Sequence, residues 1–150
     1  MPTSSPAPIW RRLAALGYDS LLLGSLIFVI TGALIWLYGI SDLPMAELNG
    51  VEHPPAWFSQ FVIFPVMLLV TASFYHFFWR RGGQTLGMRA WRIRTERFDG
   101  RPVKLWQTVV RCSAGIITFG MGHLFALFNG HRQSLQDVLS QTRTVLLPKN

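Results

Sequence analysis

Five ionisable side chains lie inside or beside long apolar runs of the sequence, and they are the residues best placed to do chemistry. They are Arg11, Arg12, Asp19, Arg111 and Asp137. An ionised side chain in hydrocarbon is costly unless it is paired, so such residues are rare in apolar segments and usually have a role there. Carboxylates and guanidinium groups in these positions either handle an ion or substrate or form a buried charge network. We therefore take these five residues as the candidate site.

Asp19 directly precedes an apolar run, and three roles are open to it. It can be hydrated and anchor the helix end, it can belong to a buried ion pair that stabilises the helix bundle, or it can handle an ion or substrate directly. Arg12 lies seven residues earlier on nearly the same helix face. Along the helix axis the two residues are about 10 Å apart, at about 1.5 Å per residue. We therefore expect another residue to be the partner of Asp19.

Arg111 and Asp137 lie on either side of the third apolar run. The favoured interpretation of Arg111 is that its side chain extends to the membrane interface. The alternative is that it faces inward as the counter-charge of Asp19 or Asp137. Asp137 belongs to a short amphipathic helix pattern, His131–Leu139, in which it would ordinarily be a solvated surface acid. Its place directly after the apolar run also allows an interfacial contact.

Residue types that bind metals or act as nucleophiles do not occur at diagnostic spacings. The four histidines and the single cysteine show no metal-ligand spacing; they are His53, His76, His123, His131 and Cys112. No HExxH, phosphate-loop or dinucleotide glycine pattern is present, and no nucleophile is paired with a base. We expect no enzymatic activity, no metal and no cofactor.

The composition is typical of an integral membrane protein. Half of the 150 residues are hydrophobic and 14% are charged, whereas soluble domains carry roughly a quarter charged residues. Residues 20–41, 53–79 and 112–131 contain no Asp, Glu, Lys or Arg, and a spanning helix needs about 20 mostly apolar residues. We predict an all-α membrane protein whose partner is the lipid bilayer. Its net charge of +7 indicates loops retained inside the cell rather than nucleic-acid binding.

The chain is expected to form one membrane domain, residues 9–147, between a disordered N-terminal tail, residues 1–8, and a C-terminal tail, residues 148–150. Membrane segments are expected at about 20–40, 57–79 and 105–129. The first two should form a transmembrane hairpin. Pro65 lies inside the second segment and should kink it, because proline removes one backbone hydrogen bond.

The charge distribution predicts the orientation of this hairpin. Arg11 and Arg12 lie at one end, most of the remaining basic residues lie within residues 80–104, and the loop 41–56 carries only acids. Because basic loops stay inside, we expect a cytoplasmic N-terminus, a periplasmic or extracellular loop 41–56 and a cytoplasmic C-terminus. The predicted location is the bacterial inner (plasma) membrane.

The third apolar segment contains several glycines and has two possible arrangements. Gly120-Met121-Gly122-His123 is a plausible break near its middle. A straight span would place Arg132, Arg143 and Lys149 outside, whereas a re-entrant pair of half-helices would keep every basic residue inside. Charge placement favours the re-entrant arrangement, in which irregular backbone at membrane depth must be buried in protein or face water.

Two short β-favouring segments lie outside the apolar runs. Residues 89–95 alternate apolar and basic side chains from Trp91 onward, and residues 142–147 are rich in β-branched residues. We expect them to pair as a short cytoplasmic β-hairpin-like segment, with Pro102 starting the next helix and an amphipathic helix near the C-terminus. The Arg-rich strand is interpreted as a retention signal that contacts anionic lipids rather than as a substrate site.

Three ordered motifs resemble the RDD family of membrane proteins. Residues 10–19, Trp-Arg-Arg-Leu-Ala-Ala-Leu-Gly-Tyr-Asp, resemble its opening signature, and residues 83–87, Gly-Gln-Thr-Leu-Gly, resemble its central block. Residues 132–137, Arg-Gln-Ser-Leu-Gln-Asp, followed by Thr142, resemble its C-terminal block. The resemblance implies that the arginine and two aspartates for which the family is named are Arg11 or Arg12, Asp19 and Asp137. The further motif positions are Gly83, Thr85, Gly87 and Thr142.

Two positions depart from the family pattern. Met88 stands where the family usually has lysine, and Gln136 stands where histidine is common. The resemblance implies a transport-related role, which for some members is cation/proton exchange. Since two or three spans rarely enclose a pathway, transport would require a homo-oligomer or a partner in a membrane complex. The alternative is a non-catalytic accessory or assembly subunit whose buried charges are structural.

Overall fold

The chain divides into two compact units, which are described separately. The computed structural model of the protein describes residues 5–128, 130 and 132–148. Unit 1 comprises Met1–Leu21 and Ala72–Asn150, and unit 2 comprises Leu22–Thr71. The fold is mostly helical with two small antiparallel strand pairs.

Two helices are long and apolar enough to cross a membrane. The first, α1, runs over Ile9–Gly39 with a mean hydropathy of 2.3, and the second runs over Ala56–Arg81 with a mean hydropathy of 1.9. The second consists of α2 (Ala56–Phe58), a π-helical turn (Ser59–Ile63) and α3 (Phe64–Arg81). The two apolar helices predicted from the composition are confirmed, and α1 begins well before the span expected at residue 20.

Pro65 follows the π-helical turn by two residues. Proline has no backbone N–H and its ring crowds the preceding turn, so the hydrogen-bond ladder cannot continue unchanged there. The turn accommodates this by widening, and the backbone N–H of Phe64 donates to the carbonyl of Ser59, five residues earlier. A π-helical turn therefore precedes Pro65, where the sequence predicted a kink.

Unit 2 has its own aromatic core and a hairpin that the sequence analysis did not predict. Tyr38 packs against Phe58 and Ile63, and its hydroxyl donates to the carbonyl of Pro44 at 2.9 Å. Within the loop 41–56, β1 (Ala46–Leu48) pairs with β2 (Val51–His53). The connecting residues Asn49 and Gly50 have φ values of 55° and 77°, as a type I′ turn requires.

The small sheet of unit 1 joins segments that are distant in sequence. Strand β3 (Ile93–Arg97) pairs antiparallel with β4 (Thr142–Leu146), and Thr95 lies opposite Thr144. The two predicted segments do pair, but the first strand covers residues 93–97 rather than 89–95. The pair is not a hairpin, because the described residues between the strands form three α-helices and a 3-10 turn.

The N-terminal segment extends this sheet. The backbone N–H of Ala7 donates to the carbonyl of Thr144 at 3.0 Å, and that of Leu146 donates to the carbonyl of Ser5 at 2.9 Å. The disordered tail predicted for residues 1–8 is therefore wrong for residues 5–8, since Ser5 and Ala7 bond to β4 and the carbonyl of Pro8 accepts from the N–H of Arg12. Residues 1–4 and most of the predicted C-terminal tail lie outside the described residues.

The third apolar segment breaks where its glycines indicated. Helix α5 (Leu105–Ile117) is followed by a 3-10 turn (Met121–His123) and α6 (Phe125–Phe128), with a bend of 106° between the two halves. The residues at the break, Phe119 and Gly120, have φ values of 49° and 77°.

Two predicted helix boundaries are wrong. Helix α5 begins at Leu105, after the N-cap Lys104, rather than at Pro102. Helix α7 covers only Leu135–Leu139, where the amphipathic pattern suggested a longer helix; His131 lies outside the described residues. The remaining short helix of unit 1, α4, covers Leu86–Ala90.

Neighbouring glycines between α3 and α4 provide a test of the fold. Gly83 has a φ of +70°, and a Cβ there would lie 2.6 Å from the carbonyl oxygen of Thr95 in β3, whereas a Cβ at Gly82 would meet nothing within 4 Å. We expect Gly83→Ala to destabilise the protein by about 2 kcal/mol or more, because it adds both backbone strain and a clash. Gly82→Ala should change stability by no more than about 0.5 kcal/mol. Thermal unfolding of both purified variants in detergent measures this, and equal midpoints would contradict the close approach of Gly83 to β3.

Candidate buried-charge site

Asp137 is positioned by the start of α7. It is the third residue after the N-cap Ser134, and the two form a reciprocal capping box. The backbone N–H of Ser134 donates to Asp137 Oδ2 at 3.1 Å, and the backbone N–H of Asp137 donates to Ser134 Oγ at 3.3 Å. This local geometry aims the carboxylate into the interior of unit 1, where its side chain is fully buried.

Two buried arginines bind the Asp137 carboxylate from different elements. Arg12 of α1 donates from Nη1 to Oδ2 at 2.6 Å, and Arg111 of α5 donates from Nη1 to Oδ1 at 2.6 Å. Thr144 Oγ1 of β4 donates to Oδ1 at 3.0 Å. Burial by itself would raise the pKa of Asp137, but the two guanidinium groups outweigh it and hold that pKa well below its ordinary value. Asp137 is therefore ionised at neutral pH.

Arg12 connects four segments of unit 1. Its Nε donates to the carbonyl of Ala7 at 3.0 Å, and its Nη2 donates to the carbonyls of Arg132 at 3.0 Å and Thr144 at 3.2 Å. Together with the ion pair to Asp137, these bonds join α1 to four segments, which are the N-terminal segment, the loop before α7, α7 itself and β4. A planar guanidinium with five donors suits such a junction better than a lysine ammonium would.

Arg111 faces inward rather than extending to the interface. It lies on the buried face of α5 and is only 5% exposed. Its Nη1 also donates to Thr142 Oγ1, and its guanidinium carbon lies 5.0 Å from the ring centroid of Trp79. The favoured interpretation of Arg111 as an interfacial side chain is therefore wrong. The alternative, in which it is the counter-charge of Asp137, describes the structure.

Asp19 is buried with a different set of partners. It is 1% exposed, its Oδ2 accepts a hydrogen bond from Thr85 Oγ1 at 2.5 Å, and its Oδ1 accepts one from the backbone N–H of Gly87 at 2.9 Å. Within the described ranges, it forms no ion pair with any Arg, Lys or His. The expectation that its partner is not Arg12 is confirmed, and the partners are neutral donors at the start of α4.

The Gly-x-Thr-x-Gly motif has a structural role at each of its three fixed positions. Gly83 approaches β3 as described above. Thr85 is the N-cap of α4 and accepts from the N–H of Met88 while it donates to Asp19. Gly87 lies against α1, and a Cβ there would be 2.4 Å from the carbonyl oxygen of Ala15 and 2.9 Å from Asp19 Oδ1. Only glycine fits that contact without displacement of α1 or α4.

Arg11 is separate from the Asp137 cluster. Its Nη1 donates to the carbonyl of Trp91 at 3.1 Å, and its guanidinium carbon lies 4.9 Å from the ring centroid of Trp10. Of the two arginines in the opening motif, the structure brings Arg12 to Asp137. Thr142, the last of the motif positions, contacts Arg111 at the edge of the same cluster.

The two departures from the family pattern lie at different places. Met88 packs against the apolar cluster of Ala7, Ala15 and Ile93, so this position is apolar in this chain. Gln136 is 3% exposed and lies against Gly122, where a Cβ would be 2.9 Å from Gln136 Oε1.

Two residues of the site, Ser134 and Thr144, were not predicted from the sequence. Ser134 and Asp137 have the spacing of a capping box, and Thr142 and Thr144 share one face of a strand by the two-residue period. Both signals were present in the sequence. A second cluster lies on the sheet, where Glu96 binds Arg94 and Arg143. No local sequence pattern predicts this cluster, because Glu96 and Arg143 meet only through the pairing of β3 with β4.

Removal of the Asp137 charge should destabilise unit 1 strongly. In Asp137→Asn, two buried arginines lose their shared counter-charge, so we expect a loss of about 3–5 kcal/mol of unfolding free energy. Asp99 forms a partly exposed pair with Arg97, and Asp99→Asn should cost less than about 1 kcal/mol. Chemical unfolding of both variants in the same detergent compares the two. Similar losses would show that burial does not distinguish these pairs.

The depressed pKa of Asp137 also predicts a pH dependence of stability. The pKa in the unfolded chain is near 3.8 and the pKa in the folded protein is lower, so the carboxylate stabilises the fold above that pH and the contribution is lost as pH falls below it. Wild type should therefore lose more stability than Asp137→Asn between about pH 6 and pH 3. Unfolding midpoints of the two proteins across that range test this. Parallel pH profiles would mean that Asp137 does not contribute.

Comparison with known proteins identifies the family of the chain. A family model described as RDD family matches residues 6–141, which include Arg12, Asp19, the Gly-x-Thr-x-Gly motif and Asp137. Comparisons with curated proteins and with solved structures found no match. The matched region covers nearly the whole chain, and both long apolar helices lie within it. The chain therefore belongs to the RDD family.

Proposed function

We propose that this RDD-family protein exchanges a cation or proton across the bacterial inner membrane at Asp19, as a homo-oligomer or together with a membrane partner. The two long apolar helices and the family support a small membrane protein. The transport role rests on the chemistry of Asp19 and on the resemblance described above. Assembly is part of the proposal because two or three spans rarely enclose a pathway.

The observation that carries the proposal is the contrast between the two buried aspartates. Two arginines compensate the charge of Asp137 directly, so that carboxylate has little to gain from a further cation. Asp19 is also buried but accepts hydrogen bonds only from a hydroxyl and a backbone N–H among the described residues. A buried carboxylate without a contacting cation gains most from binding a proton or a small cation.

Thr85 allows the site to accommodate both states of Asp19. A hydroxyl has one donor and two acceptor lone pairs, so it can donate to a carboxylate and can accept from a carboxylic acid after rotation. The N–H of Gly87 remains a donor to Oδ1 in both states. Proton gain and loss at Oδ2 then require a rotation of the Thr85 hydroxyl and no rearrangement of the backbone.

The proposed orientation has both termini and residues 80–104 in the cytoplasm, with the loop 41–56 in the periplasm or outside the cell. The basic residues of segment 80–104 support it, because six of their side chains are exposed and available to anionic lipid headgroups. They are Arg80, Arg81, Arg89, Arg92, Arg101 and Lys104.

The alternative function is that of a non-catalytic accessory or assembly subunit of a membrane complex. The two arginines bound to Asp137 favour this alternative, because they connect elements of unit 1 and already neutralise that carboxylate. In this alternative, the hydrogen bonds of Asp19 to α4 are also structural.

Asp19→Asn separates the two functions. The amide keeps the size of the carboxylate and can still accept from the N–H of Gly87, but it cannot carry the charge. In everted membrane vesicles, we expect wild type to exchange cations for protons and Asp19→Asn to be reduced to background at matched protein levels. Asp42→Asn, which changes an exposed acid of the loop 41–56, should exchange like wild type.

A second pair of variants tests the role of the hydroxyl. Thr85→Ser keeps the hydroxyl and should retain exchange, whereas Thr85→Val removes it and should lose exchange. Unfolding midpoints of all variants show whether a loss of exchange reflects a loss of folded protein. Absence of exchange by wild type above empty vesicles would favour the accessory function.

A further inference from the structure

The sheet of unit 1 constrains how the chain can cross the membrane between its two strands. Strand β3 ends at Arg97 and β4 begins at Thr142, and these two residues lie opposite each other in the sheet. The sheet also carries Arg94, Glu96 and Arg143, and such a density of charge places it outside the hydrocarbon. The intervening chain therefore leaves and returns on one face of the membrane. It crosses the bilayer an even number of times or not at all.

The bent segment between the strands is too short to cross twice. Helix α5 has 13 residues, which span about 20 Å at about 1.5 Å per residue, whereas the hydrocarbon core is about 30 Å thick. After the bend of 106°, the returning part is the short 3-10 turn and α6. A single crossing would place β3 and β4 on opposite faces, which their pairing forbids.

Side-chain contacts also hold together the two ends of the chain segment between β3 and β4. Arg111 in α5 pairs with Asp137 in α7 at 2.6 Å. Near the start of α5, Gln107 Nε2 donates to the carbonyl of Ser140 at 2.9 Å. The beginning of the segment and the chain that follows it thus lie at the same level beside the sheet.

The backbone N–H groups of the bend are satisfied within it. Hydrocarbon offers no hydrogen-bond partner, and irregular backbone exposed to lipid does not occur in the hydrocarbon core, so the bend can approach the acyl chains with its side chains but not with its backbone. Gly120 donates to the carbonyl of Gly115 at 2.8 Å, and Phe119 donates to that of Ile116 at 3.1 Å, which is the pattern that ends a helix with a left-handed residue. Gly122 donates to Thr118 Oγ1 at 3.2 Å. Backbone carbonyls accept the N–H groups of Thr118, Met121, His123 and Leu124.

The outer surface of the bend is apolar and unusually exposed. Phe119 at its apex is 93% exposed, and Ile117 and Met121 beside it are 75% and 65% exposed. Phe119 has a φ of 49°, a conformation that costs a residue other than glycine about 1–2 kcal/mol. Glycine would adopt this φ without that cost, so we infer that the side chain of Phe119 has a role at the apex.

We propose that residues 105–128 form a re-entrant segment on one side of the membrane. The backbone of its apex lies at the membrane interface, and the apex side chains, from Ile117 to Met121, insert among the acyl chains of the leaflet that faces the β3–β4 sheet. The segment thereby anchors unit 1 to one leaflet. The uncharged bend meets hydrocarbon on one side, while the buried face of α5, with Arg111, remains against α7 and β4. This inference concerns the topology of the membrane domain and does not depend on exchange at Asp19.

Single-cysteine variants test the topology. In a Cys112→Ser background, we expect Arg101→Cys and Pro148→Cys, both at exposed positions on either side of the segment, to react with a membrane-impermeant thiol reagent from the same side. Glu52→Cys, in the β1–β2 hairpin, should react from the opposite side. The comparison uses right-side-out and everted vesicles of cells expressing the full chain. Labelling of Pro148→Cys from the side of Glu52→Cys would establish a single span and overturn the proposal.

The depth of the apex is measured with a second set of variants. Phe119→Cys and Ile117→Cys, each labelled with an environment-sensitive fluorophore in vesicles of brominated lipids, should be quenched most strongly by bromines placed along the acyl chains. Arg101→Cys serves as the aqueous control. Two positions are used because either substitution alone could disturb the bend. Access of the impermeant reagent to both apex positions at the rate of Arg101→Cys would overturn insertion.

Discussion

The structure of unit 1 depends on the neutralisation of one buried carboxylate. Asp137 is fully buried and is bound by Arg12 of α1 and Arg111 of α5, two helices that are distant in the sequence. Each arginine then makes a second set of bonds, to the N-terminal segment and β4 for Arg12 and to Thr142 for Arg111. Because an unpaired charge in this environment is costly, the elements that supply the partners cannot separate without loss of stability. This electrostatic requirement holds α1, α5, α7 and β4 together where the apolar core is small.

The second buried carboxylate satisfies a different requirement. Asp19 is held by Thr85 and Gly87, so its position is set by hydrogen bonds while its charge has no cation in contact among the described residues. The same three residues explain why α4 approaches α1 so closely, since Gly87 has no Cβ to displace Ala15. Under the proposed function, the carboxylate of Asp19 binds a proton or cation reversibly, whereas the Asp137 carboxylate is already neutralised by two arginines. The two aspartates of the family motif therefore differ in how their charge is compensated.

The local features of the sequence predicted the fold well, and the errors have identifiable causes. The long apolar helices, the break before Gly122 and the pairing of β3 with β4 were all visible in hydropathy, glycine placement and residue period. The interfacial assignment of Arg111 was wrong because an arginine at the edge of an apolar run has the same sequence signature whether it faces lipid or protein. The disordered assignment of residues 5–8 was wrong because a Pro-rich segment can still pair at a sheet edge. Asn49-Gly50 has the Asn-Gly signature of a β-hairpin turn, and this signal was missed within the loop 41–56.

The sequence by itself determined the class of protein, its two apolar helices and the charge asymmetry between its loops. These are properties of contiguous residues, and the bilayer selects them by length and polarity alone. Only the tertiary structure decided that Arg12 rather than Arg11 binds Asp137, and that the start of α4 holds Asp19. The paired residues are 125 positions apart in the first case and 66 and 68 in the second, so no local period relates them. Their pairing follows from which buried donors and acceptors the packed helices bring within hydrogen-bond distance.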